Sequence, residues 1–406
     1  MTRQTRRALI IGGSMAGLFA GLYLRRRGWE TDICERSPTP LTGRGAGIMT
    51  HPEMRRALAD FGIDTSRDFG VPIERRLVLD RAGAVVAERV CPQMATSWNR
   101  LFAMLTAAFG PARYHLGKDL RTLSQTGQGV AAQFADGSAA AGDLIIGADG
   151  FRSTVRALLL PGAQPAYAGY VAWRGLGDEQ TLAPVLSQPI FDTLAFCLPP
   201  GEQFLGYPVA GPDNDLRPGQ RRYNVVWYRP ADEATELHSL LTDVHGVTHA
   251  ISIPPPLIRP EHISAMRAAA ERLIAPQLRE IARLMAEPIL QPIYDLETPR
   301  MAFGRVAILG DAAFVARPHV AAGVSKAAED ALALAAALDA EDDVAAALRR
   351  FEAARLPIGR RIIERARHLG AYLQASRTAE EEAHSGRYST AEAVITETAV
   401  LDFLYG

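Results

Sequence analysis

The chain has 406 residues, 48% apolar and 22% charged, and its 44 Lys and Arg against 45 Asp and Glu leave a net charge of −1. That length suggests two interleaved domains, and that neutrality removes any global attraction to nucleic acid or to an anionic membrane. Three widely spaced cysteines, Cys34, Cys91 and Cys197, form no CxxC and no zinc spacing, so a reducing compartment is expected, with no structural disulfide and no metal.

Arg3, Arg6 and Arg7 ahead of the apolar run from Ala8 mimic a signal peptide, but glycines and a serine interrupt the run and no small-residue cleavage site closes it. No stretch reaches the ~20 uninterrupted apolar residues of a membrane span. The expectation is a cytoplasmic protein.

Ala8 to Ile11 reads as a short buried strand, Gly12 to Gly17 as a glycine-rich turn, Leu18 to Arg27 as a helix and Thr31 to Cys34 as a second strand. Ile73 to Val90 alternates apolar and polar residues. Gly142 to Ile146 is another buried-strand pattern, followed by the turn Gly147–Ala148–Asp149–Gly150. Tyr167 to Val226 is rich in aromatic, proline and β-branched residues, as antiparallel strands are. Helical patterns cover Ala265 to Ala286, Gly323 to Leu338 and Val344 to Ala375, with a strand at Arg305 to Leu309 before the Gly310–Asp311 turn. The acidic, Ala-rich segment from Arg377 to His384 reads as a solvated helix or linker. This pattern predicts an α/β protein. A Rossmann-like nucleotide domain is assembled from residues 1–72, 91–165 and 290–375. A mainly antiparallel substrate domain, residues 73–90 and 166–289, is inserted between those segments, and 376–406 form a C-terminal tail.

The turn Gly12–Gly13–Ser14–Met15–Ala16–Gly17 is a GxGxxG with serine at the middle glycine. Gly12 permits the tight turn, Ser14 is small enough for a pyrophosphate to approach, and Gly17 lets the helix pack on the strand. The helix N-terminus offers free N–H groups and partial positive charge to phosphates. Glu35 ends the second strand, where an acidic side chain accepts hydrogen bonds from an adenosine ribose. Arg36 would flank the adenine.

Glu35–Arg36, Gly45–Ala46–Gly47–Ile48, Asp149–Gly150 and Gly310–Asp311 occur in that order, the last running through Arg317–Pro318–His319 and Ala321–Ala322–Gly323 into Glu329–Asp330. Together they resemble the flavoprotein aromatic monooxygenases of the p-hydroxybenzoate hydroxylase fold, over nearly the whole chain to about residue 375. Tyr167–Ala168–Gly169–Tyr170–Val171–Ala172–Trp173–Arg174–Gly175, with Gly110–Pro111–Ala112–Arg113–Tyr114–His115 and the Arg317–Pro318–His319 turn, is similar to the subgroup of 2,6-dihydroxypyridine 3-hydroxylases. Two positions depart from the wider family. Trp98 stands in the register of an arginine that contacts the cofactor, a change the subgroup shares, and Ser325 stands where an asparagine is usual near the flavin pyrimidine.

The resemblance implies tightly bound, non-covalent FAD, NADH or NADPH as a transient reductant, and O2 as co-substrate. NAD(P)H reduces FAD, O2 adds at flavin C4a, and the hydroperoxide passes oxygen to a small electron-rich aromatic or N-heteroaromatic ring. No second GxGxxG is present, so the reductant would bind over the flavin without a fold of its own. The implied cofactor-binding residues are Gly12, Ser14, Met15, Ala16, Gly17, Glu35, Arg36, Arg44, Gly47, Leu120, Asp149, Asp311, Ala321, Ala322, Gly323, Val324 and Ser325. Arg44 would contact the flavin or gate its movement, Asp311 would reach its ribityl or ribose hydroxyls, and the helix from Gly323 would stabilise the anionic reduced flavin.

His319 is the candidate catalytic and substrate-binding residue, a contact to the substrate hydroxyl or ring nitrogen able to exchange protons near neutral pH; the alternative is a structural turn histidine. Tyr207 and Trp227 are expected to bind the substrate, with Tyr170 and Trp173 as further pocket aromatics. The partner implied is a small aromatic substrate, with no nucleic acid and no membrane, and a homodimer is allowed. The WxWxIP stretch of flavin halogenases is missing at Trp173–Arg174–Gly175–Leu176, and the cysteine spacing excludes a disulfide reductase. The alternatives left open are another FAD chemistry, such as an oxidase or epoxidase, and a non-catalytic flavin-binding protein.

Overall fold

The computed structural model describes residues 5–41 and 47–404. Arg44, Gly45 and Ala46, singled out above, lie outside the described residues.

The glycine-rich turn sits at the carboxyl end of a six-stranded sheet in the order 302–303, 306–308, 144–147, 7–11, 30–34, 114–115. All pairs are parallel except the 302–303 edge. The runs Ala8–Leu9–Ile10–Ile11 and Leu144–Ile145–Ile146 are buried on both faces, which is why they read as continuous apolar strings. Helix Met15–Arg25 packs on this sheet, and helix Gly323–Ala340 packs on that helix.

A nine-stranded sheet follows the order 314–315, 289–297, 166–178, 222–230, 203–209, 194–197, 71–79, 85–97, 47–49. It is antiparallel except where 194–197 runs parallel to 71–79. Its first hairpin, Val71–Leu79 with Val85–Ser97, turns where the Asp80 carboxylate accepts the Ala84 N–H. The helical stretch expected at 265–286 is two helices, Pro260–Leu273 and Pro276–Leu284. Pro276 lacks an N–H and fits only the first turn of the second helix, so it ends the first. These helices cover one face of the sheet through Trp173, Phe204, Tyr223, Val225 and Trp227.

The opposite face carries Tyr170, Ala172, Leu205, Tyr207, Val226 and Tyr228, and is closed by 372–373 and the C-terminal segment. Helix Ala379–Tyr388 is the solvated helix expected, started by a Thr378/Glu381 capping box. The chain then returns. Helix Ala391–Glu397 packs on strands 71–79 and 85–97, and the fully buried Arg76 donates to the carbonyls of Ile395 (3.0 Å) and Thr398 (2.6 Å). Among the described residues no helix is long and apolar enough to cross a membrane.

Candidate active site

Two cavities flank the turn regions. The first, about 170 Å³, is lined by Gly12, Gly13, Ser14, Glu35, Arg36, Trp98, Leu120 and Asp149 among others. Gly12 has φ +107°, and a Cβ there would come within 2.3 Å of the Ala148 carbonyl oxygen; at Gly17 it would come within 2.0 Å of the Gly12 oxygen. Gly13 is as constrained, since Tyr114 occupies the space a side chain would need.

Glu35 is buried, not solvated, at 6% exposure. Its Oε2 accepts the Gly13 N–H and its Oε1 the Ser37 N–H, both at 2.8 Å, so the carboxylate ties the phosphate turn to the end of the second strand. Each oxygen keeps a further lone pair for a hydroxyl ligand. Trp98 lines this cavity where the wider family's arginine is expected, its ring stacked on Phe102 at 4.7 Å. Asp149 also lines it, but its carboxylate accepts from the Ser153 hydroxyl (2.5 Å) and from the N–H groups of Thr154 (2.7 Å) and Val155 (3.1 Å). That is a cap on helix Thr154–Leu159, which holds the turn rather than reaching out from it.

The second cavity, about 330 Å³, lies between the nine-stranded sheet and the segment from Asp311 to Val324. It falls in the range of small-molecule sites. Gly47, Tyr207, Asp311, His319, Ala321, Ala322, Gly323 and Val324 all line it, so the structure brings these sequence-derived positions together. A Cβ on Gly310 would lie 2.8 Å from Ala16, so Asp311 stands beside the turn that lines the first cavity. Its carboxylate, 52% exposed, faces Lys326 at 3.8 Å.

His319 is 2% exposed and its Nε2 lies 2.8 Å from the Tyr170 hydroxyl, while Nδ1 is buried and has no hydrogen-bond partner among the described residues. Burial, and then the Arg317 charge, pull its pKa down to about 3. The proton exchange near neutral pH expected of it is therefore corrected: the imidazole is neutral, and its free nitrogen donates or accepts according to tautomer. Arg317 fixes the turn through Asp295 (2.9 Å) and Gln374 (2.6 Å), and the Ala399 N–H donates to the His319 carbonyl at 2.7 Å.

Four expected positions lie off the wall of this cavity: Trp227, Trp173, Tyr170 and Ser325. Trp227 lies on the helix-covered face with Trp173, against Phe204, because successive strand residues point to opposite sides. Its neighbours Val226 and Tyr228 line the cavity instead. Ser325 points away from the cavity, toward Glu53, Glu329 and Arg355. Tyr170 lies behind His319, outside the cavity wall. Tyr207 lines the cavity with its ring, its hydroxyl donating to the Gly47 carbonyl at 3.0 Å. Arg174, Tyr228, Lys326 and the Thr398–Ala399 segment line the cavity without having been singled out. The parity of Tyr170 and Ala172 on the same strand would have signalled Arg174; nothing local signals a return from residue 398.

No metal was expected. Among the described residues His368, Glu380 and His384 bring ligand-type atoms within 4.8 Å of one another. The two imidazoles stack face to face, 3.7 Å apart and 16° from parallel, so their in-plane lone pairs run side by side rather than converging.

The residues fit a dinucleotide with a ring system at one end. Ser14 and Ala322, which precede helices Met15–Arg25 and Gly323–Ala340, form no side-chain cap, leaving first-turn N–H groups beside the two cavities. A dinucleotide cradle beside an aromatic cavity is the architecture of a cofactor-dependent oxidoreductase.

A family profile described as FAD binding domain-like matches residues 167–295. The chain is 34% identical to the 2,6-dihydroxypyridine 3-monooxygenase of Paenarthrobacter nicotinovorans, over 92% of this chain and 93% of that protein. It is 28% identical to an FAD-dependent urate hydroxylase of Klebsiella pneumoniae subsp. pneumoniae, over 89% and 88%. The solved 2,6-dihydroxypyridine-3-hydroxylase of Arthrobacter nicotinovorans superposes with TM-score 0.84 at 32% identity, covering 93% of this chain and 95% of that one. Klebsiella pneumoniae HpxO complexed with FAD and uric acid gives 0.77 at 26%, covering 98% and 97%. The chain belongs to the FAD-dependent aromatic monooxygenases of the p-hydroxybenzoate hydroxylase fold. Its cofactor is FAD, and it uses NAD(P)H and O2 to hydroxylate a small electron-rich aromatic or heteroaromatic ring.

Proposed function

We propose that the ring hydroxylated is hydroxypyridine-like and binds in the cavity between His319 and the nine-stranded sheet. The observation that carries this reading is His319 itself, a neutral imidazole in the cavity wall with one nitrogen held by Tyr170 and the other without a partner among the described residues. A ring hydroxyl or ring N–H supplies the missing hydrogen bond, and a purely apolar ring does not. The likeness to a 2,6-dihydroxypyridine 3-monooxygenase supports the same substrate class.

In this reading Glu35, the Gly12–Gly17 turn, Arg36 and Leu120 hold the adenosine diphosphate half of FAD. Asp311 would take ribityl or ribose hydroxyls, and the N–H groups from Ala321 to Val324 would hold the flavin pyrimidine. When bound, FAD accepts a hydride from NAD(P)H and activates O2 for transfer to the ring. His319 orients the substrate by hydrogen bonding and carries no charge at neutral pH. Leu194, Phe196, Leu205 and Val226 line the cavity with apolar surface that excludes water from the reacting atoms. A cytoplasmic location is part of the reading, supported by the free thiols of Cys34, Cys91 and Cys197.

The test is a panel of hydroxypyridines and phenols scored for stimulated NAD(P)H oxidation and for hydroxylated product. His319→Ala should retain FAD, lose substrate affinity and form less product per NAD(P)H consumed, the balance appearing as hydrogen peroxide. Tight coupling with unchanged affinity would return His319 to a turn residue.

A further inference from the structure

Among the described residues the walls of the substrate cavity carry three cations, and two of them are already matched. Arg317 is paired with Asp295 and Gln374, and Lys326 lies 3.8 Å from Asp311 and 4.0 Å from Asp330. Arg174 is not matched. It stands on strand Ala166–Asp178 two residues beyond Ala172, on the cavity face, opposite Val226. Among the described residues its hydrogen-bond partner is the neutral amide of Gln291, reached from Nη1 at 2.7 Å, and it forms no ion pair; Nε is buried with no partner.

The Nε edge of this guanidinium, beside Leu205 and Val226, is withdrawn from water without a counter-charge, which costs free energy until an anion arrives. Its planar fork binds an oxyanion or carboxylate through two N–H groups. The field of Arg174 already acts on the cavity tyrosines: burial pushes the hydroxyls of Tyr207 and Tyr228 up in pKa, and Arg174 pulls against it.

We propose that Arg174 is the anion-recognition residue of this cavity, so that the enzyme selects rings carrying a negatively charged oxygen. The inference rests on the function proposed above and deepens it from a ring with a hydroxyl to a ring bound as its anion. Arg174 is thereby the specificity-determining residue, acting on substrate charge, while His319 supplies a neutral hydrogen bond.

The experiment uses FAD-loaded wild type, Arg174→Gln and Arg174→Lys, each titrated with three probes. These are 2,6-dihydroxypyridine, which ionises at a ring hydroxyl; benzoate, a carboxylate; and 2,6-dimethoxypyridine, which cannot ionise. Binding is read from the absorption spectrum of the bound flavin and by calorimetry. Arg174→Gln is expected to weaken the anionic probes about 10- to 100-fold, the range of one charge-assisted contact, and to leave 2,6-dimethoxypyridine unchanged. Arg174→Lys should recover part of the loss. Wild-type affinity for 2,6-dihydroxypyridine should rise with pH through the ring ionisation, and that rise should vanish in Arg174→Gln. A loss confined to 2,6-dihydroxypyridine assigns the site to a ring oxyanion; a loss for benzoate as well extends it to carboxylates. Equal weakening of the neutral probe, or no weakening at all, overturns the inference while leaving the ring-hydroxylase reading standing. Wild type binding none of the three overturns both.

Discussion

Replacing Glu35 with Ala removes a carboxylate that works twice, and the structure separates the two effects. Its oxygens accept the N–H groups of Gly13 and Ser37, both in buried hydrogen bonds of 2.8 Å. Leaving each donor unsatisfied costs about 1–3 kcal/mol, so the apoprotein should lose roughly 2–6 kcal/mol, a large share of the stability of an ordinary fold. Loss of the ribose contact should separately weaken FAD by about tenfold or more. Glu35→Gln keeps one acceptor oxygen but turns an NH2 toward the other donor, so it should fall between wild type and Glu35→Ala in apoprotein stability. The assay is urea unfolding of stripped protein, with FAD affinity measured apart by quenching of flavin fluorescence, because bound cofactor adds its own stabilisation. An apoprotein midpoint equal to wild type would refute the claim that Glu35 holds the turn. A destabilised apoprotein with unchanged FAD affinity would refute the ribose contact.

Tyr228→Phe should weaken substrate binding with FAD retained, whereas Trp227→Phe should lower stability and leave substrate affinity alone, since the two rings face opposite sides of one strand; paired titrations and unfolding curves check both. Because His319 is held near pKa 3 when folded and near 6.5 when unfolded, the unfolded chain binds more protons between those values. Its contribution to stability is therefore complete above about pH 6.5 and declines as pH falls toward 3; an NMR titration of the His319 ring should be flat from pH 5 to 9, and an ionisation in that window would contradict the burial argument.

The cofactor half of the site was legible because it is written locally. A glycine at φ +107° and another with no room for a Cβ leave their mark at fixed spacing, and Glu35 follows from where the second strand ends. The substrate half was legible only in outline. Residues Tyr223 to Tyr228 are all buried, so the strand shows no apolar–polar alternation, and the sequence alone does not tell that Trp227 faces the helices while its neighbours face the cavity. Ser325 was misplaced by a fraction of a helical turn, enough to carry it from the cavity to the Glu53 side. The return of residues 391–399 depends on Arg76 reaching carbonyls 319 and 322 positions away, a pairing no local pattern announces.

That division has a chemical consequence. The turn that presents His319 is clamped from four distant parts of the chain: Asp295 and Gln374 on Arg317, Tyr170 on the imidazole, and Ala399 on the His319 carbonyl. A site held this way cannot move one residue without breaking a buried pair, so the turn is a poor place for substrate preference to drift. The strand positions facing it are different. Arg174, Val226 and Tyr228 belong to a regular antiparallel ladder whose backbone bonds do not depend on the side chain. Exchanging a side chain there changes charge and hydrogen bonding in the cavity while the fold and the cofactor cradle stay intact. On the function proposed above, substrate choice is therefore carried by the cavity face of the nine-stranded sheet, and the clamped turn supplies the fixed point against which that choice is made.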